Sequence, residues 1–448
     1  MTDAVDPPAL QRRRRCQWWA GQRRPQWRSC RPRPSYPDPR WRRRHHRGIK
    51  RPRGAARTGV YPSQFERAGY PRRAVDDKVQ AAWQQLFHGS PGTRPDRSDG
   101  QSIYYRYGHD MAYVEDIGNQ DVRTEGMGYA MMIAVQLGHK KEFDALWKFA
   151  QAKMQFHSGP EQYYFAWHTD TNGAIIDNGT APDGDQWIAA ALAFASGRWG
   201  DGSGVTDYGQ QSRQILHAMW HRSEHGGVDM FDRRTHLPTF SPPNTVDRTD
   251  PSYALPAFYR VFATVDPSDA GEWTKAAAAG EQLLHRAPAP ATGLSPDYSH
   301  FDGSPYLAPG ETPGDDSYTH NFQEDAWRVI ANANVDAQWF GPQPWQREFS
   351  NTLQNFFTGQ GISTYGSRYH LDGTPVKNGQ NGYEPQHAQG LVAMNSTSTI
   401  SATGGNNQAF LRDFWNAPLP QGKARYYDGM LHMLGFLYDS GKFRIWQH

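Results

Sequence analysis

Helical periodicity dominates the chain from about residue 75 onward, and it comes in two kinds. Segments of the first kind are apolar around their whole circumference, as in GMGYAMMIAVQL at 126–137 and QWIAAALAFAS at 186–196, which contain no charge. Segments of the second kind are amphipathic: in 139–155, Phe143 and Leu146 lie on a face opposite the charged residues. A helix that is apolar all round is buried on all sides, whereas an amphipathic helix covers a core with one face.

The two kinds of helix alternate along the chain, which predicts their arrangement in space. Apolar helices are expected near 122–137, 183–197, 252–264, 324–336, 389–402 and 425–439. Amphipathic helices are expected near 75–88, 139–155, 207–222, 270–286, 343–358 and 406–416. Six buried helices alternating with six half-buried helices indicate an all-α fold of two concentric rings, an (α/α)6 barrel. A generic bundle or solenoid is the alternative, but the chain lacks the fixed-period sequence repeat of a solenoid.

Composition divides the chain into a basic leader and an acidic body. Residues 1–60 carry 18 basic and three acidic side chains, although the whole chain has a formal net charge of only +3. The arginine runs show no helical or strand period and cannot bury a core, so residues 1–58 are predicted to be disordered. Residues 59–448 are predicted to form one barrel domain. The leader is interpreted as an ill-defined extension, such as an upstream start codon chosen in error. Nucleic-acid binding through its arginines and tryptophans is the alternative, and none is expected of the folded domain.

Targeting signals and cysteines add few constraints. No apolar run approaches the roughly 18 residues of a membrane-spanning helix, so no membrane association is predicted. The leader also lacks the apolar segment of a secretory signal, which predicts a cytoplasmic protein. Both cysteines, Cys16 and Cys30, lie in the leader, and the body has no HExxH motif or clustered Cys/His spacing. The sequence therefore predicts neither a metal nor a cofactor, and it does not determine the oligomeric state.

Three acidic residues stand at the starts of apolar helices: Glu125 in RTEGMGYAMM, Asp183 in APDGDQWIAA and Asp325 in NFQEDAWRVIAN. One such residue is most often a helix cap or a partner of the helix dipole. Three of them should converge, because parallel helices around a ring bring their N-termini to one end. Several carboxylates in one cleft suit glycoside hydrolysis, in which one carboxylic acid protonates the leaving oxygen and a second carboxylate activates water or attacks the sugar.

Aromatic side chains offer apolar platforms for the C–H faces of pyranose rings. The candidates are Tyr163, Tyr164, Trp167, Trp187, Tyr253, Trp327, Tyr383, Tyr426 and Tyr427. An aromatic residue on an inner helix is more often part of the core, so Trp187 and Trp327 are individually expected to be core residues.

At VRTEGMGYAMM (122–132) the sequence resembles the signature of glycoside hydrolase family 8. The similarity continues through YYFAWH (163–168), APDGD (181–185), DPSYALPAFY (250–259), DAWRVIAN (325–332), QGLVAMN (389–395) and RYYDGMLHMLGFLYDSGKFRIW (425–446). It spans nearly the whole body, and within the family it is strongest to the reducing-end xylose-releasing exo-oligoxylanases. The resemblance implies an (α/α)6 barrel, an inverting mechanism and a xylo-oligosaccharide substrate.

The resemblance also assigns roles to individual residues. Glu125 matches the general acid, and Asp325 matches the general base that activates water. Asp183 matches the acidic residue that holds the sugar at the cleavage subsite, and Tyr253 matches the tyrosine that helps hold the attacking water. His387, ahead of QGLVAMN, matches a histidine of the loop that closes the cleft beyond the leaving sugar.

Two more residues of the matching motifs, Trp167 and Arg328, are predicted to bind substrate. Two features depart from the family pattern. His387 lies between Gln386 and Ala388, where the exo-oligoxylanases have Leu before the histidine and Pro after it. The stretch HNFQED is one residue longer than the pattern, so Glu324 is an alternative to the general base, although DAWRVIAN favours the aspartate.

The chemistry sets physical requirements on the acid. An unperturbed glutamate titrates near 4.3, so burial and neighbouring carboxylates are expected to raise the pKa of Glu125. The Glu125 and Asp325 carboxyls are expected about 6.5–9.5 Å apart, which leaves room for a water. The predicted reaction is release of xylose from the reducing end of xylo-oligosaccharides. Two alternatives stay open: an endo-acting family 8 enzyme on xylan, cellulose, mixed-linkage glucan or chitosan, and a non-catalytic carbohydrate-binding barrel.

Overall fold

The computed structural model describes residues 53–377 and 387–447. Most of the predicted disordered leader therefore lies outside the described residues, as does the candidate platform Tyr383. Residues that the predicted boundary assigns to the leader form the short helix α1 (Ala55–Thr58), in which Ala55 is buried. A second short helix, α2 (Gln64–Arg67), follows before the barrel begins.

Twelve longer helices of the described chain form two rings. The inner ring consists of α4 (Thr124–Leu137), α6 (Pro182–Trp199), α8 (Pro256–Val265), α10 (Arg328–Phe340), α12 (Gln389–Ser396) and α14 (Tyr427–Asp439). The outer ring consists of α3 (Arg72–His88), α5 (Lys140–Phe149), α7 (Tyr208–His221), α9 (Ala270–Arg286), α11 (Pro344–Gln360) and α13 (Asn407–Asn416). Each inner helix contacts the next, and α14 contacts α4, which closes the ring. The predicted two-ring architecture is confirmed.

The burial of the two kinds of helix follows their sequence patterns. In α6 every residue from Pro182 to Ser196 is buried. In α5 the buried side chains are Phe143, Leu146, Trp147 and Phe149, whereas the lysines of this helix are partly or fully exposed. An all-apolar helix thus forms the inner wall, and an amphipathic helix covers it from outside.

The two inner helices α4 and α6 approach each other closely through glycines. A Cβ atom on Gly128 would lie 2.7 Å from the Cβ of Trp187, and one on Gly184 would lie 2.3 Å from the hydroxyl oxygen of Thr124. Only glycine fits at such positions. The close approach brings the N-termini of both helices together, and with them Glu125 and Asp183.

Short strands lie in the loops between helices. Strand β1 (Tyr104–Tyr107) pairs antiparallel with β2 (Met111–Val114), and β3 (Asp121–Arg123), β4 (His168–Asp170) and β5 (Ile175–Asp177) form an antiparallel sheet in that order. Strand β3 runs directly into α4, and the N–H of Thr124 donates to the carbonyl of Trp167 at 3.0 Å. The sheet and this hydrogen bond therefore fix the start of α4.

Three inner helices are shorter than the periodicity predicts. Pro251–Tyr253 and Glu324–Trp327 are separate 3₁₀ turns, and α8 and α10 begin only after them. Helix α12 ends at Ser396 and continues as a 3₁₀ segment over Thr397–Ile400. From Ser396 to Ser398, serine and threonine hydroxyls donate to carbonyls three residues earlier, which competes with regular helix geometry. Asp325 consequently lies in a 3₁₀ turn before its helix and not at a helix start.

Within the described residues, we find no helix with the length and apolar character needed to cross a membrane.

A carboxylic acid buried at the end of α14 links stability to pH. Asp439 is fully buried, the Ser396 hydroxyl donates to it, and burial raises its pKa to about 7. Because the folded-state pKa lies above the unfolded one, this group stabilises the fold fully below about pH 4, and its contribution is lost as the pH rises through 7. Asp439→Asn should therefore lessen the drop in free energy of unfolding between pH 5 and pH 8 by a few kcal/mol, measured by urea denaturation. The exposed-site variant Asp77→Asn is the control, and equal pH dependence in both variants would contradict the prediction.

Candidate active site

The inner-helix N-termini carry the acidic residues that the sequence singled out. Glu125 and Asp183 are each the second residue of their helices, α4 and α6. Asp325 lies in the 3₁₀ turn that leads into α10. The structure brings all three carboxylates together, as expected from parallel helices around a ring.

One guanidinium joins these carboxylates. Nη1 of Arg328 lies 2.7 Å from Oε1 of Glu125 and 2.9 Å from Oδ2 of Asp183. Its Nη2 lies 2.9 Å from Oδ1 of Asp325 and 3.9 Å from Oδ2 of Asp250. The planar fork of arginine suits this task because its donors point in fixed, separate directions. Glu125 and Asp325 therefore contact different terminal nitrogens of the same guanidinium.

Two adjacent tyrosines before and at the start of α14 contact the same pair of carboxylates. The hydroxyl of Tyr426 lies 3.2 Å from Oε2 of Glu125. The hydroxyl of Tyr427 lies 3.2 Å from Oδ1 of Asp325 and 2.8 Å from the carbonyl oxygen of Glu324. The sequence analysis considered both tyrosines only as aromatic platforms, and their hydroxyls instead help to hold the carboxylates.

Solvent access distinguishes the carboxylates from one another. The side chains of Glu125 and Asp325 keep 16% and 24% of their surface exposed, whereas Asp183 and Arg328 keep only 6% each. Both hydrogen bonds that the described residues make to the Asp325 carboxylate use Oδ1. The Oδ2 atom of Asp325 is thus the one available to a water molecule.

Burial decides the protonation of Glu125. Loss of solvation raises its pKa to about 8, the Arg328 charge opposes this, and the charges of Asp325 and Asp183 add to the increase. Arg328 does not cancel the effect because four carboxylates share its single positive charge. At neutral pH Glu125 is therefore mostly a carboxylic acid, as expected for a proton donor. Burial raises the pKa of Asp183 as well.

The sequence analysis missed two buried aspartates beside Asp325. Asp250 accepts the N–H of Ser252 at 2.7 Å, and Asp297 accepts the N–H of Ala326 at 3.1 Å. Both are fully buried, and burial followed by the Asp325 charge raises the pKa of each well above its ordinary value. Asp250 lies in the matching motif DPSY and could have been found from it. Asp297 lies in a long loop without any such signal.

Some of the predicted aromatic residues lie near this cluster. Tyr163 and Tyr164 do not, because Tyr163 lines a surface pocket with His217 and the Tyr164 hydroxyl donates to the carbonyl of Ala218. The ring of Tyr253 is buried, with its centroid 6.0 Å from the guanidinium carbon of Arg328. Trp167 is partly exposed beside the start of α4, and Arg123 lies 5.6 Å above its ring. Trp187 is packed between Tyr129 and aromatic residues of the core, as expected for an inner helix.

Glu324 and His387 stand apart from the guanidinium of Arg328. The carboxylate of Glu324 pairs with Arg368, whose Nε lies 3.1 Å away. Nδ1 of His387 lies 3.1 Å from the carbonyl oxygen of Tyr365, and its Nε2 lies 3.2 Å from a carboxylate oxygen of Asp413. His387 therefore has a polar partner at each ring nitrogen, and residues 378–386 of its loop lie outside the described chain.

Comparison with known proteins shows the family of this chain. Residues 109–441 match the family described as Glycosyl hydrolases family 8. The chain belongs to glycoside hydrolase family 8 and is a glycosidase with an (α/α)6-barrel fold.

Several relatives cover nearly the whole body. The reducing-end xylose-releasing exo-oligoxylanase of Paenibacillus barcinonensis is 42% identical over 88% of this chain and 99% of its own length. The enzyme of the same description from Halalkalibacterium halodurans is 38% identical over 88% of this chain and 96% of its own. The solved structure of the Paenibacillus enzyme complexed with xylose matches with a TM-score of 0.80 and 41% identity over 88% of this chain and 100% of that one.

Replacing Arg328 by lysine should destabilise the protein. A lysine cannot reach the carboxylates on both sides, so it leaves at least one buried acid without its charged hydrogen bond, at a loss of about 2–3 kcal/mol. The free energy of unfolding, measured by urea denaturation, should fall by that amount, whereas Arg67→Lys at an exposed position should change little. Equal stability of the two variants would show that the cluster does not need the guanidinium fork.

Proposed function

We propose that this protein is an inverting glycosidase that releases xylose from the reducing end of xylo-oligosaccharides, with Glu125 as general acid and Asp325 as general base. The observation that carries the mechanism is the bridging of these two carboxylates by Arg328, at 2.7 and 2.9 Å. The substrate is inferred from the printed descriptions of relatives at 42% and 38% identity.

The assignment of the acid rests on its protonation. Glu125 has the raised pKa of about 8 that lets it carry a proton at neutral pH, and 16% of its side chain faces solvent. Oε1 accepts from Arg328, which leaves Oε2, near the Tyr426 hydroxyl, as the oxygen that holds the proton. This proton passes to the glycosidic oxygen as the bond to the leaving xylose breaks.

The assignment of the base rests on its position. Asp325 shares the guanidinium of Arg328 with the acid, and it keeps 24% of its side chain exposed for a water. The rival Glu324 is held by Arg368, and its Oε2 atom is buried with no hydrogen-bond partner among the described residues. Attack of water on the anomeric carbon, with its proton passing to Oδ2 of Asp325, completes the inversion.

The surrounding residues bind the sugar in this proposal. Asp183 is buried beside Glu125 and is suited to accept hydrogen bonds from hydroxyls of the sugar at the cleavage subsite. Tyr253, whose ring centroid lies 6.0 Å from the guanidinium carbon of Arg328, helps to hold the attacking water. Trp167 offers a partly exposed indole next to the start of α4.

Activity should fall on the alkaline side as Glu125 loses its proton. The acid works only when protonated, so kcat/KM should decline above about pH 8, the pKa to which burial raises this group. The measurement is a pH profile on xylotriose at constant ionic strength. A profile that stays flat to pH 10 would contradict the assignment.

Product analysis tests the proposed substrate and direction. With xylohexaose, the proposal expects steady release of xylose and a series of chains shortened one unit at a time. Labelling the reducing end should place the label in the first xylose released. Direct NMR observation should show the newly formed reducing end first as the α-anomer, because inversion converts a β-linkage to that product.

Two other outcomes would overturn parts of the proposal. Mixed oligomers from xylohexaose indicate an endo-acting enzyme, a possibility raised by the 26% identity to Endoglucanase 2 of Ruminiclostridium josui over 72% of this chain. Initial formation of the β-anomer indicates retention and excludes Asp325 as a base that activates water.

A further inference from the structure

Two histidines and an aspartate meet on the outer ring, away from the carboxylates that Arg328 joins. Nδ1 of His217 lies 3.0 Å from Oδ2 of Asp269, and Nε2 of His221 lies 2.9 Å from Oδ1 of the same carboxylate. The two imidazole rings stack with centroids 4.1 Å apart. All three potential ligand atoms lie within 4.8 Å of one another.

The local structure explains this convergence. His217 and His221 are four residues apart on α7, so their side chains lie on the same face, one turn apart. Asp269 is the N-cap residue of α9, where an aspartate normally accepts a backbone N–H of its own helix. Its carboxylate makes no such cap hydrogen bond and turns towards the two histidines instead.

A further carboxylate orients one of the rings. Nδ1 of His221, the nitrogen that does not face Asp269, lies 2.7 Å from Oε1 of Glu224. Histidines that bind metal ions usually donate their second N–H to a carboxylate, which fixes the tautomer and makes the other nitrogen a better ligand. His221 has this arrangement: Glu224 contacts its Nδ1 atom, and its Nε2 atom faces Asp269 and the other candidate ligand.

The cluster is accessible from solvent. The side chain of His217 is 51% exposed. It lines a surface pocket of 470 Å³ together with Gln210, Gln214 and Ser268. An ion can therefore enter without opening the fold, and the pocket has space for a water as a fourth ligand.

We propose that His217, His221 and Asp269 bind a divalent transition-metal ion, with Zn²⁺ as the best match to two imidazole nitrogens and one carboxylate oxygen. Tetrahedral bonds of about 2.0–2.2 Å to zinc place the ligand atoms roughly 3.3–3.6 Å apart. The ligand atoms now lie within 4.8 Å of one another, and rotation of the half-exposed His217 ring can adjust their spacing. The ion joins α7 to α9 and leaves one coordination position for water. Its contribution is to stability, because none of the three ligands contacts Glu125, Asp325 or Arg328 through the hydrogen bonds of the described residues.

Zinc titration of the full-length protein by calorimetry tests this site. The wild-type protein should bind one equivalent of Zn²⁺ that is lost in His217→Ala and in His221→Ala. Glu224→Gln should weaken that equivalent by about 10–100-fold, since it removes only the orienting carboxylate. His225→Ala, which removes a nearby exposed histidine outside the cluster, should leave the equivalent unchanged. Zinc should also raise the Tm of the wild-type protein but not that of His217→Ala.

The competing explanation is a carboxylate that simply pairs with two histidines. In that case wild-type protein, His217→Ala and His225→Ala bind the same amount of Zn²⁺ with the same affinity, and the proposal is wrong. It is equally wrong if the wild-type protein binds no Zn²⁺ at millimolar concentration. If His221→Ala fails to fold, His217→Ala can still be compared with the wild-type protein, because the His217 side chain is half-exposed and its loss should not disturb the fold.

Discussion

Glu125→Gln should lower kcat on xylotriose by about 10²–10⁴-fold, the usual contribution of a general acid. Glutamine keeps the shape of the side chain and its hydrogen bond from Arg328, but it has no proton to give to the glycosidic oxygen. The fold should remain intact, because Glu125 is partly exposed and the variant removes no buried volume. Steady-state kinetics and circular dichroism measure the two effects.

The chemistry of the leaving group distinguishes an acid from a residue that merely binds substrate. Fluoride departs with little need for protonation, so xylobiosyl fluoride with the anomeric configuration of the substrate should remain a good substrate for Glu125→Gln. In Glu125→Gln, the ratio of kcat on xylobiosyl fluoride to kcat on xylotriose should therefore rise by most of the factor that is lost on xylotriose. Equal losses on both substrates would show that Glu125 binds sugar but does not protonate the leaving oxygen.

Much of the fold could be predicted because the hydrophobic periodicity indicates how far each helix is buried. Segments such as 126–137 and 186–196 have no charged face, so they can only be inner helices. The predicted ends were wrong where local geometry overrides the apolar pattern. Pro256 marks the true start of α8, and the hydroxyls after Ser396 convert the end of α12 into a 3₁₀ segment.

The site could be predicted less completely, because its electrostatics depend on contacts between distant segments. Arg328 and Glu125 are about two hundred residues apart in the chain, and periodicity gave no sign that one guanidinium joins four carboxylates. Asp297 acts through a backbone N–H beside Asp325, a contact without a sequence pattern. The pair His217 and His221 has a visible four-residue spacing, but a search for HExxH passes over it.

The sequence predicted no metal, and the zinc proposal departs from that prediction at a site outside the cleft. In the described part of the chain, the cluster around Arg328 consists of several carboxylates and one guanidinium. No histidine is among the residues that these ion pairs join. The cluster on α7 and α9 has two imidazoles and one carboxylate. The two sites therefore make independent predictions, and failure of the zinc titration leaves the glycosidase mechanism untouched.

Asp325→Asn should reduce kcat by about 10²–10⁴-fold on xylotriose and, unlike the acid variant, by a similar factor on xylobiosyl fluoride. Both substrates need an activated water, and asparagine cannot take its proton. The variant keeps the position of the side chain, because an amide oxygen can still accept from Nη2 of Arg328. Parallel kinetics on the two substrates make this measurement.

Azide rescue and a variant of the adjacent residue Glu324 complete the test of Asp325 as the general base. Azide needs no deprotonation, so it should restore turnover of xylobiosyl fluoride by Asp325→Asn and give a xylobiosyl azide of inverted configuration. Glu324→Gln is the matched variant, since it neutralises the adjacent carboxylate, which pairs with Arg368. It should retain far more activity than Asp325→Asn and gain nothing from azide. If instead Glu324→Gln loses more activity and is rescued by azide, whereas Asp325→Asn is not, then Glu324 is the general base. In that case the base lies one residue earlier in the same 3₁₀ turn, and Glu125 remains the general acid.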